Sequence, residues 1–119
     1  MRTKEIQQSV WPEFFDTFSR KHQGTLIGME ILGPEIGAQL QEDGLSLEGI
    51  TAETDEVSTQ TIMIMVGAKA DHHITHSIRH PTQVSLEQND EGVDIALTIQ
   101  GDRSTAVLRF EWPGSPEGS

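Results

Sequence analysis

The stretch WPEFFDTFSRKHQG, Trp11 to Gly24, constrains the rest of the chain most. It holds Trp11, Phe14, Phe15 and Phe18, four of the six aromatic residues. Their spacing of i, i+3, i+4 and i+7 places them on one face of an amphipathic helix. Pro12 fits near a helix start, where its missing N–H is not needed. Gly24 suits the position just past a C-terminus. Lys21 and His22 in the last turn complement the helix dipole. The spacing predicts a helix over 11–22, with Phe14, Phe15 and Phe18 buried against whatever the remaining residues build.

Those residues read as strands. Residues 1–9 are polar, have only Ile6 as an anchor, and read as extended or frayed. Ile27, Met29 and Ile31 alternate with Gly28 and Glu30 at strand period. Gly33-Pro34 stops that run. Asp43-Gly44 is a favoured turn pair and predicts a hairpin, with Ala38 and Leu40 on one arm and Leu45 and Leu47 on the other. An acidic loop is expected over 53–58. TQTIMIMVG, 59–67, is the strongest strand and is apolar at both parities, which suits a strand covered on both faces. In 71–88, Ile74, Ile78, Val84 and Leu86 share a parity, and Pro81 marks a bend or an edge. A turn at 89–92 leads to Val93, Ile95, Leu97 and Ile99 on one face. Gly101-Asp102 turns again, and Ala106, Leu108, Phe110 and Trp112 point inward.

Short connections between consecutive strands give an antiparallel arrangement rather than βαβ units. The expected fold is α+β, mainly β: a small barrel-like or strongly bent antiparallel sheet of about six strands, with one N-terminal helix packed on it. It forms a single domain over 1–112, followed by a polar tail, 113–119, expected to be disordered.

A chain of 119 residues is long enough to bury a core, and with no cysteine it has neither disulfides nor thiolate chemistry. The formal charge of −11 repels phosphate backbones, and the eight basic residues are scattered. No nucleic-acid partner is expected. No secretory leader or bilayer-length apolar run is present, so no membrane association and a cytoplasmic location are expected.

The segments WPEFFDTFSRKHQG, ILGPEIGAQ, LEGIT, IMIMVG and HITHSIRHPTQV, with the DEG turn before ALTIQ, together resemble one small bacterial family of uncharacterised single-domain proteins, a domain of unknown function. The resemblance runs over about residues 1–112. It implies a free-standing domain and carries no catalytic or binding residues across.

Chemistry concentrates in one place, where His72, His73, His76 and His80 fall within nine residues. On a helix, residues 72, 76 and 80 would stack and could grip a metal. The β-branched Ile74, Thr75 and Ile78, and Pro81 after His80, argue for a strand instead. Residues four apart on a strand lie about 13 Å apart, too far to share one ion. Only the tertiary fold could complete such a site, with His22, Asp71 or Glu30. Parity places His76 on the core side and His73 on the polar face. His76 is expected to be neutral at pH 7, with one ring nitrogen donating to a fixed acceptor.

Asp71, His76 and Ser77 have the residue types of a triad, but neighbours on one strand face opposite ways. Glu87, Asp90, Glu91 and Asp94 lack calcium-loop spacing. No nucleophile elbow, phosphate loop or dinucleotide fingerprint is present. No catalytic residues and no cofactor are expected. The leading reading is a non-enzymatic module that binds a protein or itself, as a homodimer covering Met63 and Met65. The alternative is a histidine-dependent metal or small-ligand protein using 72–80.

Overall fold

The computed structural model describes residues 2–33, 40–54, 59–68 and 72–111. In chain order these form β1 (Arg2–Ile6), a 3-10 turn (Gln8–Val10), α1 (Trp11–His22), β2 (Leu26–Leu32), β3 (Leu40–Thr54), β4 (Thr59–Gly67), β5 (His73–Arg79), β6 (Pro81–Gln88), β7 (Asp94–Gly101) and β8 (Thr105–Phe110). All eight strands join one sheet in the order β1-β6-β7-β8-β2-β3-β4-β5. Every pairing is antiparallel. The expectation of a mainly β chain with its N-terminal helix on an antiparallel sheet holds.

The expected six strands and barrel do not hold. Among the described residues the sheet has eight strands and stays open, with β1 and β5 as its two edges. β1 was hidden because RTKEI buries only Ile6. It becomes a strand because β6 offers it backbone partners, from Arg2↔Gln88 to Ile6↔Val84. The segment read as one bent run over 71–88 is two strands, β5 and β6, broken at His80. That residue has φ +50°, the one non-glycine residue with positive φ among those described. Such a conformation costs a residue with a side chain on the order of 1–3 kcal/mol. The corner it makes brings β5 against the far end of β7. A Cβ on Gly101 would lie 2.7 Å from Ile78 Cγ2 and 2.8 Å from the Arg79 carbonyl oxygen.

The helix has the bounds its spacing predicts, and Gly24 follows it at φ +84°. Trp11, Phe15 and Phe18 are buried; Phe14 is half-buried, packed on the core margin and stacked on Phe18 with ring centroids 5.4 Å apart. At about 100° per residue, Phe14 falls at the edge of the stripe that the other three define. The core they join includes Ile27, Leu47, Ile62, Ile64, Leu97 and Leu108.

α1 also does the work of a missing strand. β2 accompanies β3 only as far as Ser46. Past that point the Ser19 hydroxyl accepts the Ile50 N–H at 2.8 Å and donates to the Ile50 carbonyl at 3.1 Å. The Gly24 N–H donates to the Leu47 carbonyl at 2.7 Å, and the Leu47 N–H to the Thr25 carbonyl at 2.9 Å. Backbone groups left unpaired away from water are costly, so this edge needs such partners.

Bulges account for the remaining departures from simple alternation. Asp43-Gly44 makes no hairpin. β3 runs through it, Gly44 takes φ +73°, and the register slips from Ile27↔Leu45 to Met29↔Glu42. A second slip, from Leu47↔Val66 to Gly49↔Met65, moves the inner face from Leu45 and Leu47 to Ile50. In β7 the register passes from Glu87↔Ala96 to Gln88↔Asp94, leaving Ile95 extra. Leu97 and Ile99 are therefore buried as expected, Val93 and Ile95 only half-buried, and Asp94 is drawn inside. The expected positions of Ala38, Trp112, residues 55–58 and the tail 113–119 lie outside the described residues.

Candidate functional site

The four clustered histidines are distributed by the fold rather than gathered. His72 is exposed ahead of β5. His73, on the outer face, pairs through Nδ1 with Glu48 Oε2 at 2.5 Å. His76 lies on the inner face opposite Ile64, between Ile74 and Ile78. His80 is exposed at the β5–β6 corner. Among the described residues no group of three or more His, Cys, Asp or Glu side chains lies close enough to hold a metal ion. Asp71, one of the expected helpers, lies outside them; His22 and Glu30 are engaged elsewhere.

Parity placed His76 correctly, and its pKa is lowered by burial. The expected hydrogen bond is not made. His76 Nε2 is buried with no partner among the described residues. Its strand explains this: β4 places Ile62, Ile64 and Val66 across from β5 on that face, and none of them carries a side-chain donor or acceptor.

The sharpest polar arrangement is one the sequence did not suggest. Asp94 is 3% exposed. Its Oδ2 meets His22 Nε2 at 2.7 Å and Lys21 Nζ at 3.4 Å, and its Oδ1 accepts from Gln88 Nε2 at 2.7 Å. Burial raises the Asp94 pKa. The hydrogen bonds from Gln88 and His22, with the charges of Lys21 and His22, outweigh it and leave the carboxyl below its ordinary value. An ionised Asp94 can only accept, so His22 Nε2 donates. The His22 ring lies 4.4 Å from the Phe110 ring and 4.7 Å from that of Phe18. Asp94 is the one hydrogen-bonding side chain on His22 among the described residues. It latches the C-terminal end of α1 to the start of β7. The two residues stand 72 apart in the chain, so only the Ile95 bulge and the helix end bring them together.

Three clefts open among the described residues. One, of about 410 Å³, runs between α1 and the outer face of β3 and β4, past Pro12, Asp16, Ser19, Gly49, Thr51 and Met65. Gly49 leaves room there, since a Cβ at that position would lie 3.6 Å from Met65 Cε. Met63 and Met65 are half-buried on this face, opposite in parity to the fully buried Ile62, Ile64 and Val66. A second, of about 360 Å³, lies at the β5–β6 corner, and a third, of about 300 Å³, lies beside Gly28, Glu30, Asp43 and Arg109.

A family model described as "Family of unknown function (DUF5335)" matches residues 2–118. The chain belongs to DUF5335. It is also similar to an uncharacterized protein of the bacterium Aquifex aeolicus (strain VF5), 23% identical over 112 residues, covering 93% of this chain and 94% of the relative. No solved structure matches. The DUF5335 chain has no helix, among the described residues, long and apolar enough to cross a membrane.

Proposed function

We propose that this DUF5335 protein is a cytoplasmic, non-enzymatic binding module that pairs with a second copy of itself through the outer face of β4 and the adjoining edge of β5. The observation that carries the reading is the outer apolar pair, Met63 and Met65, beside a strand that ends the sheet. The ladder supports it. The His80 N–H donates to the Gln60 carbonyl and the Ala68 N–H to the His72 carbonyl. Antiparallel alternation then turns the N–H and C=O of Thr75 and Ser77 away from β4. Such an edge, flanked by adaptable methionine surface, suits pairing with another chain. A two-fold axis would apply the same patch to itself.

Sedimentation equilibrium tests this. The expected result at high protein concentration is twice the chain mass of 13.2 kDa. The double variant Met63→Lys, Met65→Lys is expected to sediment as a monomer with its fold kept, because both side chains are only half-buried. A wild-type chain that stays at 13.2 kDa throughout overturns the reading.

A further inference from the structure

The cleft at the β5–β6 corner gathers residues from two turns that the sequence keeps well apart. Ser77, Arg79 and His80 come from β5 and its corner; Asp102, Arg103 and Ser104 come from the β7–β8 turn. One close approach sets the turns against each other: Gly101 lacks a side chain where Ile78 and the Arg79 carbonyl press in. Within the β7–β8 turn, the Gly101 N–H donates to the Ser104 carbonyl at 2.8 Å. The His80 N–H is tied to the Gln60 carbonyl at 2.9 Å, which fixes the corner from the other side.

The composition of this cleft runs against that of the whole chain. The protein carries a net charge of −11 with eight lysines and arginines in all. Two of those eight, Arg79 and Arg103, line one cleft together with a histidine and two serines, against a single acid, Asp102. Arg79 is exposed and has no ion-pair partner among the described residues. His80 holds a backbone conformation that glycine or asparagine would adopt with less strain. What the corner gains from histidine is an imidazole at the lip of the cleft.

We propose that this cleft is a binding site for a small phosphate-bearing anion. Guanidinium groups offer paired N–H donors matched to phosphate oxygens, and serine hydroxyls and an imidazole N–H supply further donors. A volume of about 360 Å³ falls in the range of small-ligand sites, about 300–1,000 Å³. The overall negative charge selects for size. A polyanion meets repulsion from the whole surface, whereas a compact anion inside the cleft lies closest to the two arginines, within a Debye length of about 8–10 Å. The cleft has neither Met63 nor Met65 in its lining but shares Ser77 with the β5 edge proposed for self-association, so binding is tested on dilute protein.

The test is a titration of the isotope-labelled full chain with inorganic phosphate, followed by amide NMR at constant ionic strength, with chloride as the reference salt and dilute protein. Saturable shifts are expected at Arg79, His80, Arg103 and Ser104. Arg79→Gln should weaken phosphate binding at least about tenfold, and Arg79→Lys by less, because it keeps the charge and loses the paired donors. Arg103→Gln provides a second variant from the other turn and should also weaken binding. Unchanged amide signals from β2 and β8 in each variant show that the fold is intact. Three results overturn the proposal: shifts that never saturate, chloride producing the same shifts as phosphate, or phosphate affinity unaffected by both glutamine variants.

Discussion

His76 places an imidazole where its strand neighbours place isoleucine. Its Nε2 is buried without a partner among the described residues, a condition that costs about 1–3 kcal/mol at a typical site. β4 carries no ionisable side chain, and the one on β7, Asp94, is already held by His22, Gln88 and Lys21. Nothing on those strands therefore compensates a charged ring at His76. Its folded pKa lies below 6.5 because burial disfavours the imidazolium, so the unfolded chain binds more protons as pH falls. The His76 contribution is fully present above about pH 6.5 and is lost as pH drops towards the folded value. Asp94 has the same sign in a lower window. Its folded pKa is below 3.8, so its contribution is present above that value and lost as pH falls through the folded one. Two separate acid-side losses are expected. NMR titration of the imidazole protons should place His76 below its free value. His76→Val should remove the upper loss and raise neutral stability by about 1 kcal/mol; a variant that retains the loss assigns it to another group.

At the scale of elements, α1 is both a lid for the core and a partner for the β3 edge, and variants can separate the roles. Phe15→Ala should cost about 3–5 kcal/mol, as expected of a fully buried phenylalanine, and Phe14→Ala distinctly less, because Phe14 lies on the margin. Ser19→Ala removes almost no apolar area but strips the Ile50 N–H and C=O of their partner. It should cost about 1–3 kcal/mol. Denaturant unfolding of the three variants ranks them; a Ser19→Ala value near zero would mean that water replaces the hydroxyl. The helix was legible because four aromatic residues share one periodicity and glycine follows it. β4 was legible because its run is apolar at every position. What could not be read was set by partners distant in the chain. RTKEI is a strand only because β6 lies beside it. Asp43-Gly44 has the chemistry of a turn, yet Gly28 across from it accommodates a bulge instead. Asp94 stands two residues past the turn at 89–92, and only the Ile95 bulge turns it towards His22. The faces of His73 and His76 followed from strand parity, whereas the corner at His80 did not.

On the scale of the molecule, the sheet consists of two sequential meanders, β2-β3-β4-β5 and β6-β7-β8, sealed by β8 pairing with β2 and extended by β1 on β6. Ile31 pairs with Ala106, and Arg2 with Gln88. The order in which a ribosome delivers these strands is therefore at odds with the order in which they can pair. β1 and α1 emerge first. β1 has no ladder until β6 is made, and the core side of α1 lacks Phe110 until β8 is complete. β2 emerges with one edge ready for β3, while its other edge waits for the last strand of the sheet. Domains generally fold as units during synthesis, and exposed strand edges invite wrong pairings meanwhile. Nascent chains arrested with residues through Gly101 outside the exit tunnel are expected to be cleaved readily by protease, and those exposing residues through Phe110 to resist. Protection appearing at the shorter length would show that the β2–β3–β4–β5 meander folds on its own. In either case β1 waits for β6, α1 and the outer edge of β2 wait for β8, and until those strands arrive the elements already made present open edges.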